Sequence, residues 1–350
     1  MWSSFFDYRV EFMSDRSGNA LRYSESSQRG HVESYFLRAN HPHRPLAIWI
    51  KATVLAPRPR SAVAEAWCVV FHGEKKRIFA TKRTIPVSHA TFSGDPPTIR
   101  LADVLLELGD PGRTEGSLWG DGGPCTWNLA WRRDQGQIGD PLCLLPYPSM
   151  VDGPFPKNKL LTPAPLLRFS GWIDIFGERI AVERWPGMQG HNWGESHAWE
   201  YAWGQCHFHD AKGEPFCMAE GFTGRVRLGR LVTPRLSALV VRRGQKEYRF
   251  DRTFDFWRQD AELDSSRWRV HLHGPAGEAI LHMEAPVEST TCLGYYNPDG
   301  RLSYCLNSKL ARVQLRVNPW NEEGFECTSE HGGALEFLRN EPDPRFDRVV

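Results

Sequence analysis

Short apolar runs separated by turn-forming residues dominate the chain. In its first half we predict strands over residues 31–38, 47–55, 64–72, 76–84, 126–131, 166–176 and 178–185. Residues 101–108 instead favour a single helix, with Asp103 near its start and Gly109 at its end. Residues 134–165 are rich in proline and glycine and predict a long connection, and whether it caps a cavity is not determined by the sequence.

A second series of strands begins after Trp193. We predict strands over residues 197–208, 215–228, 235–242, 247–252, 254–260, 266–273, 279–286, 301–307, 309–316 and 324–331. Evenly spaced strands with tight turns are typical of antiparallel sandwiches and barrels. Two such series predict two β-barrel-like domains with a boundary near 190–200. The predicted division is an arm over 1–30, a first domain over 31–196, a second over 197–340 and a tail over 341–350.

Composition agrees with a β-rich protein and narrows the range of partners. The 350 residues include 43 basic and 42 acidic side chains, so long-range attraction to nucleic acid or to anionic membranes is not expected. Aromatic residues reach 12%, as suits strands. No run of 18 apolar residues occurs, so no transmembrane helix is expected, although peripheral membrane contact stays open. The oligomeric state is not determined by the sequence.

The cysteines and the N-terminus predict a cytoplasmic protein. Eight cysteines are scattered without a CxxC pair, which favours small buried side chains in a reducing compartment. Residues 1–13 carry Asp7, Arg9 and Glu11 and lack the apolar core of a signal peptide.

The most unusual stretch of the sequence is 190–209. Side chains alternate between the two faces of a strand. One face would therefore combine large aromatics with hydrogen-bonding groups: Trp199, Tyr201, Trp203, Gln205, His207 and His209. We interpret this face as the wall of an apolar ligand pocket with a polar end.

Metal binding is an alternative use of these histidines. His207, His209 and a nearby Glu214 or Glu220 form a plausible ligand set for a divalent ion. Packing or surface histidines are the other explanation, and we predict no metal and no organic cofactor. His271-x-His273 is interpreted as a solvated strand end.

Two residues outside the aromatic strand are candidates for acid–base chemistry. His191 lies among glycines beside Trp193, where it would act as a proton donor or acceptor, or simply pack. Glu220 shares a strand face with Met218; burial in an apolar wall would raise its pKa and make it a proton donor. A surface ion pair with a nearby arginine is the alternative for Glu220.

Several short motifs resemble one known group of proteins. Tyr201-x-Trp203-x-Gln205-Cys206 resembles the Trp-x-Trp-x-Gln-Cys-Asn strand of tocopherol cyclases. Residues 33–36, Glu-Ser-Tyr-Phe, resemble the Glu-Trp-Trp-Tyr motif that opens AttH-like proteins and carotenoid hydratases. Residues 191–194 match the His-x-Trp-Gly motif that closes their first domain.

The resemblance implies two tandem lipocalin-like antiparallel β-barrels or half-barrels with an apolar cavity. Carotenoid hydratases associate a His-x-Trp pair and a Tyr-x-Asp pair with catalysis, and these fall here on His191 and Trp193 and on Met218 and Glu220. The chain departs from that pattern, since Met218 cannot donate a hydrogen bond and Glu220 is one methylene longer than Asp.

Three functions stay open at this stage. The first is an enzyme that hydrates, cyclises or isomerises an isoprenoid or polyene, with Glu220 as acid, His191 as its partner and Trp193 stabilising the cation. Trp199, Tyr201, Trp203, Gln205, His207 and Met218 would bind the substrate. The second is a non-catalytic carrier or sensor of an apolar ligand. The third is a metal-dependent β-barrel enzyme.

Overall fold

The computed structural model describes residues 18–27, 29–225, 227–228, 231–252 and 259–350, and these form two large antiparallel sheets. The first sheet is a nearly closed barrel and the second a half-barrel, which confirms the predicted all-β class. The described helices are short 3₁₀ turns: Val87–His89, Gln137–Gly139, Pro148–Met150 and Val287–Ser289. None of the helices in the described ranges has the length and apolarity needed to cross a bilayer.

The first sheet contains twelve strands. They are β1 (His31–Asn40), β2 (Leu46–Ala56), β3 (Val63–His72), β4 (Arg77–Pro86), β5 (Ala90–Ser93), β6 (Thr98–Leu101), β7 (Val104–Glu107), β8 (Gly112–Gly120), β9 (Gly123–Arg133), β10 (Leu142–Cys143), β11 (Asn158–Ile175) and β12 (Glu178–Gly194). Their order is β4-β3-β2-β1-β12-β11-β9-β8-β7-β6-β5, with β10 beside β11. The first and last long strands, β1 and β12, are therefore neighbours.

The second sheet repeats this arrangement. Its strands are β13 (Glu200–His209), β14 (Pro215–Arg225), β17 (Leu236–Arg243), β18 (Lys246–Phe250), β19 (Gln259–Leu263), β20 (Arg267–Gly274), β21 (Gly277–Glu284), β22 (Thr291–Tyr296), β23 (Leu302–Pro319) and β24 (Phe325–Arg339). Two short strands, β15 (Arg227–Leu228) and β16 (Leu231–Val232), form a separate pair. The order is β18-β17-β14-β13-β24-β23-β21-β20-β19, with β22 beside β23. The strand expected over 254–260 lies mostly outside the described residues, and the domain limits stay a prediction.

The helix predicted over 101–108 is wrong. The segment forms the hairpin β6–β7, in which Leu101 pairs with Val104 across a turn at 102–103. Ala102 takes a φ of 51°, a left-handed conformation that a two-residue hairpin turn requires and that glycine or asparagine usually supplies. The strand β7 pairs with β8, and Leu105 and Leu106 are buried there. This pairing outweighs the helix-forming composition of residues 101–108.

Where the two sheets face each other, strands such as β2 and β13 are buried on both faces. On β2, Ile48 and Ile50 point into the interior of the first sheet, whereas Trp49 joins a cluster shared by the two sheets. On β13, Phe208 lies in the interior of the second sheet and Trp203 in the shared cluster. The side-chain period of two thus divides each strand between its own core and the contact between the sheets.

Candidate functional site

A cavity of about 950 Å³ opens between the two sheets. Its wall includes Phe36, Trp49 and Trp203, all members of the cluster shared by the sheets. The interiors of both sheets are filled by their own apolar side chains. The expected cavity is therefore present, but it lies between the domains and not inside a barrel. The connection predicted over 134–165 is shorter in the structure, because β10 lies within it and β11 begins at Asn158. Its residues between 144 and 157 line the cavity together with Asn158 and Leu160 of β11.

The aromatic face of β13 forms one side of the cavity. Tyr201 and Trp203 line it from one face of β13, as the alternation predicts, and Trp199 and Glu200 at the start of the strand line it as well. The Trp203 ring meets Phe36 of β1 edge-on, with centroids 6.0 Å apart and planes at 85°. A Cβ on Gly190 of β12 would lie 2.1 Å from the Phe36 ring, so glycine there allows this ring to lie flat against the strand.

One end of the cavity holds buried polar groups from the second sheet. Glu336 of β24 lines it and accepts hydrogen bonds from Lys309 Nζ at 2.6 Å and Asn307 Nδ2 at 3.0 Å. Burial lowers the pKa of Lys309, and the neighbouring Glu336 carboxylate opposes that effect. The thiol of Cys305 lies 3.8 Å from the other Glu336 oxygen.

Aromatic hydroxyls and an imidazole complete this end. Burial raises the pKa values of Tyr201 and Tyr295 well above their ordinary range. The ring of His197 packs on Tyr295 with centroids 5.3 Å apart, and burial together with Lys51 lowers the pKa of His197 to about 3. These phenols and this imidazole are therefore neutral. The Lys51 amine also lines this end, where burial lowers its pKa to about 8.

Glu220 lies directly behind the aromatic wall. Its Oε1 accepts hydrogen bonds from Thr162 Oγ1 at 2.6 Å and from Trp203 Nε1 at 3.3 Å. Its Oε2 is buried and has no hydrogen-bond partner in the described structure. Burial raises the pKa of the Glu220 carboxyl to about 7, although the bonds from Thr162 and Trp203 favour the charged form. The surface ion pair considered as an alternative is not formed, since the side chain is fully buried.

The remaining predicted binding residues do not line the cavity. Gln205 and His207 lie deeper on the same face of β13, where Gln205 Nε2 and His207 Nε2 both reach the carbonyl oxygen of Pro165, at 3.2 and 2.7 Å. Arg38 donates a hydrogen bond to Gln205 Oε1. Met218 packs in the shared cluster. These side chains hold the two sheets together below the cavity.

His191 is paired with Glu33 and not with Glu220. Its Nε2 lies 2.9 Å from Glu33 Oε1 and its Nδ1 lies 2.7 Å from the carbonyl oxygen of Gly18. Both ring nitrogens thus lie within hydrogen-bond distance of oxygen atoms, which hold the imidazole from both sides. The centroid of the Tyr35 ring, which stacks on this imidazole, lies 4.2 Å away, and that of the tilted Trp193 ring lies 4.7 Å away.

The expected pair of His191 and Glu220 does not form, because strand alternation directs His191 away from the cavity. His191 and Trp193 share one face of β12, and Asn192, on the opposite face, is the residue that lines the cavity. Pairing of β1 with β12 places Tyr35 across from His191 and Glu33 across from Trp193, so two of the sequence motifs meet here. None of the four residues of this buried cluster, Glu33, Tyr35, His191 and Trp193, lines the cavity.

Glu33 anchors the chain before β1. Its carboxylate accepts hydrogen bonds from the backbone N–H groups of Arg22 and Tyr23 and from the Tyr35 hydroxyl. Burial alone would raise the pKa of Glu33, but hydrogen bonds from His191 and His31 hold it at about 2. The Arg22 guanidinium covers Trp193 at 5.0 Å.

The histidines proposed as metal ligands are not grouped around one point. Burial lowers the pKa of His209 to about 4 and lowers that of His207 well below its ordinary value. Among the described residues, one group of three ligand-type side chains lies close enough for a metal, namely His271, His273 and Glu278 on the β20–β21 hairpin. His271 Nε2 already lies 2.7 Å from Glu278 Oε1.

Sequence reasoning missed the polar end of the cavity. Lys51 and Glu336 both interrupt apolar strand segments, and such an interruption was the signal that could have identified them. Tyr295 carried no comparable signal, because its strand, β22, was not predicted at all.

Comparison with known sequences finds a distant relative. No family model matches the chain. An uncharacterized protein of Mycobacterium tuberculosis, in strains CDC 1551 / Oshkosh and H37Rv, is 20% identical over 288 residues, covering 82% of each chain.

Two solved structures share the architecture. An AttH-like protein from Nitrosomonas europaea has a TM-score of 0.56 at 12% identity, covering 93% of this chain and 98% of that one. Kievitone hydratase from Nectria haematococca has a TM-score of 0.52 at 10% identity, covering 93% and 95%. These likenesses confirm the predicted AttH-like, two-domain fold.

Proposed function

We propose that the chain is a hydratase-type enzyme that adds water across a C=C bond of a largely apolar small molecule bound between the sheets. The observation that carries this proposal is a cavity with an aromatic wall, backed by the buried Glu220 carboxyl. The name of one structural neighbour, kievitone hydratase, supports the reaction class.

Glu220 is the proton donor in this proposal. With a pKa of about 7, a substantial share of its carboxyl is neutral at neutral pH and able to donate. The proton would pass to one alkene carbon, leaving a cation at the other. Water would then attack that cation and return a proton to the Glu220 carboxylate. An internal hydroxyl in place of water would give cyclisation, and loss of a different proton would give isomerisation.

Trp203 couples the acid to the cavity. The indole lines the cavity and also donates its N–H to Glu220. Proton transfer therefore requires that this ring turn aside when the ligand binds. The faces of Trp199, Tyr201 and Trp203 would stabilise the cation while the apolar wall limits access of bulk water. This chemistry requires no metal or organic cofactor.

His191 and Trp193 have an indirect role in this proposal. They fix β12 against β1, the strands that bring Asn192 and Phe36 to the cavity. Gln205, His207 and Met218 likewise hold the sheets in register. The eight free, buried cysteines support action in a reducing compartment, the cytoplasm.

A non-catalytic carrier of an apolar ligand is the second candidate. One observation favours it: Glu220 and His191 are both absent from the residues that line the cavity. A carrier needs only the apolar wall and its polar end.

Mass spectrometry of incubated extracts tests the proposal. Lipid-soluble extract would be incubated with wild type, with Glu220→Gln and with Glu200→Gln, a control carboxyl on the cavity rim. Wild type and the control should each deplete one compound and form a product that is heavier by one water, and Glu220→Gln should not. The same product from Glu220→Gln would exclude this acid. A compound retained by wild type without conversion would establish the carrier.

A further inference from the structure

Lys51 occupies an unusual position for a lysine. It lies at the centre of β2, a strand whose residues are all buried, and is itself only 3% exposed. Phe36 of β1 and Trp67 of β3 are its cross-strand partners, and Trp49 precedes it on the same face. This face points toward the second sheet, so the Lys51 side chain extends into the space between the sheets and lines the cavity.

The ammonium group is surrounded by aromatic rings. Its Nζ lies 3.9 Å from the ring centroid of Tyr295 and 5.7 Å from those of Trp49 and Trp67. No carboxylate among the described residues forms an ion pair with it. Ring faces attract a cation, but this attraction is smaller than the cost of removing an ammonium group from water.

The two neighbouring lysines, unlike Lys51, each form an ion pair with a carboxylate. Lys309 Nζ lies 2.6 Å from Glu336 and Lys82 Nζ lies 3.3 Å from Glu65. Three ammonium groups thus face two carboxylates in this region, which leaves the charge of Lys51 unbalanced. His197, at the same end, does not add a second cation, because burial and Lys51 keep its ring neutral.

We propose that Lys51 binds an anionic oxygen of the ligand, so that the natural substrate is an amphipathic molecule with one carboxylate or phenolate end. This inference rests on the proposed function, since it places the ligand in the same cavity. The anionic end would lie against Lys51, Tyr295 and His197. The apolar body would extend along Trp203, Tyr201 and Trp199 toward the rim. The charge then orients the ligand and fixes which bond lies nearest Trp203.

A matched pair of fluorescent polyenes tests this inference without the natural ligand. The probes are cis-parinaric acid and its methyl ester, which differ in charge but not in the apolar chain. Each would be titrated into wild type, Lys51→Met, Lys51→Arg and Lys157→Met. Lys157 also lines the cavity, but its ammonium pairs with Glu195 at 2.8 Å and is 65% exposed.

Wild type should bind the acid about 10- to 100-fold more tightly than the ester. Lys51→Met should lose this preference while still binding the ester, and Lys51→Arg and Lys157→Met should retain it. Equal binding of both probes by wild type, or a preference that survives in Lys51→Met, would overturn the proposal for Lys51. Failure of wild type to bind either probe would overturn the cavity as a ligand site, and with it the proposed function.

Discussion

Replacement of Glu220 by glutamine gives a quantitative test of the buried acid. The glutamine amide would keep the shape of the side chain and an oxygen that accepts from Thr162 and Trp203, but it cannot ionise. The variant therefore separates the proton on this group from the packing around it.

The expected size of the effect follows from the pKa of Glu220. Folding raises that pKa from 4.5 to about 7, mainly through burial. This difference corresponds to about 3 kcal/mol. The folded state holds the proton more tightly than the unfolded state. The contribution of Glu220 to the stability of wild type is therefore fully present below pH 4.5 and is lost as the pH rises through 7. Because glutamine does not ionise, the free energy of unfolding of Glu220→Gln does not decrease in this way as the pH rises.

Urea unfolding of both proteins at intervals from pH 4.5 to 8 measures the difference directly. We expect the free energy of unfolding of Glu220→Gln, relative to wild type, to rise by about 3 kcal/mol across that range. Glu200→Gln, on the same pair of strands, controls for the substitution itself. A difference between Glu220→Gln and wild type that stays constant with pH would refute the assignment of a neutral acid at this position.

Two further substitutions test the buried ion pairs. Glu33→Gln should lower the free energy of unfolding by about 3 kcal/mol, measured by urea titration at pH 7, because glutamine cannot carry the charge that the hydrogen bonds from His191 and His31 stabilise on Glu33. In wild type the contribution of Glu33 should be present above pH 4.5 and be lost as the pH falls toward 2, since its pKa in the folded state is about 2. Lys309→Met should cost about 3–5 kcal/mol by leaving Glu336 unpaired. The double variant Lys309→Met, Glu336→Leu should recover most of that loss, and an additive loss would contradict the ion-pair explanation.

The fold was largely predictable because its signals are local. Alternation and turn residues identified most strands of both sheets. The failure at 101–108 has a local cause as well, since Ala102 adopts a left-handed turn conformation that its side chain does not signal. The pairing of β1 with β12 was not predictable from local pattern, because it joins residues that are 148 to 162 positions apart in the sequence.

The site was predictable only in part. Alternation placed Trp199, Tyr201 and Trp203 on one face, and the structure places all three on the cavity. It could not decide whether this face points into a barrel or toward the other domain, because that depends on how the sheets pack. The same limitation produced the expected pairing of His191 with Glu220, which lie on strands of different sheets.

Photo-crosslinking tests most directly the claim that ligand binds between the sheets. A long-chain carboxylic acid that carries a diazirine in its apolar chain would be bound and irradiated, and the labelled peptides would be mapped by mass spectrometry. We predict labels on residues 199–203 and on residues between 144 and 160. Labels on interior side chains of either sheet, such as Ile50 or Val241, would contradict the account.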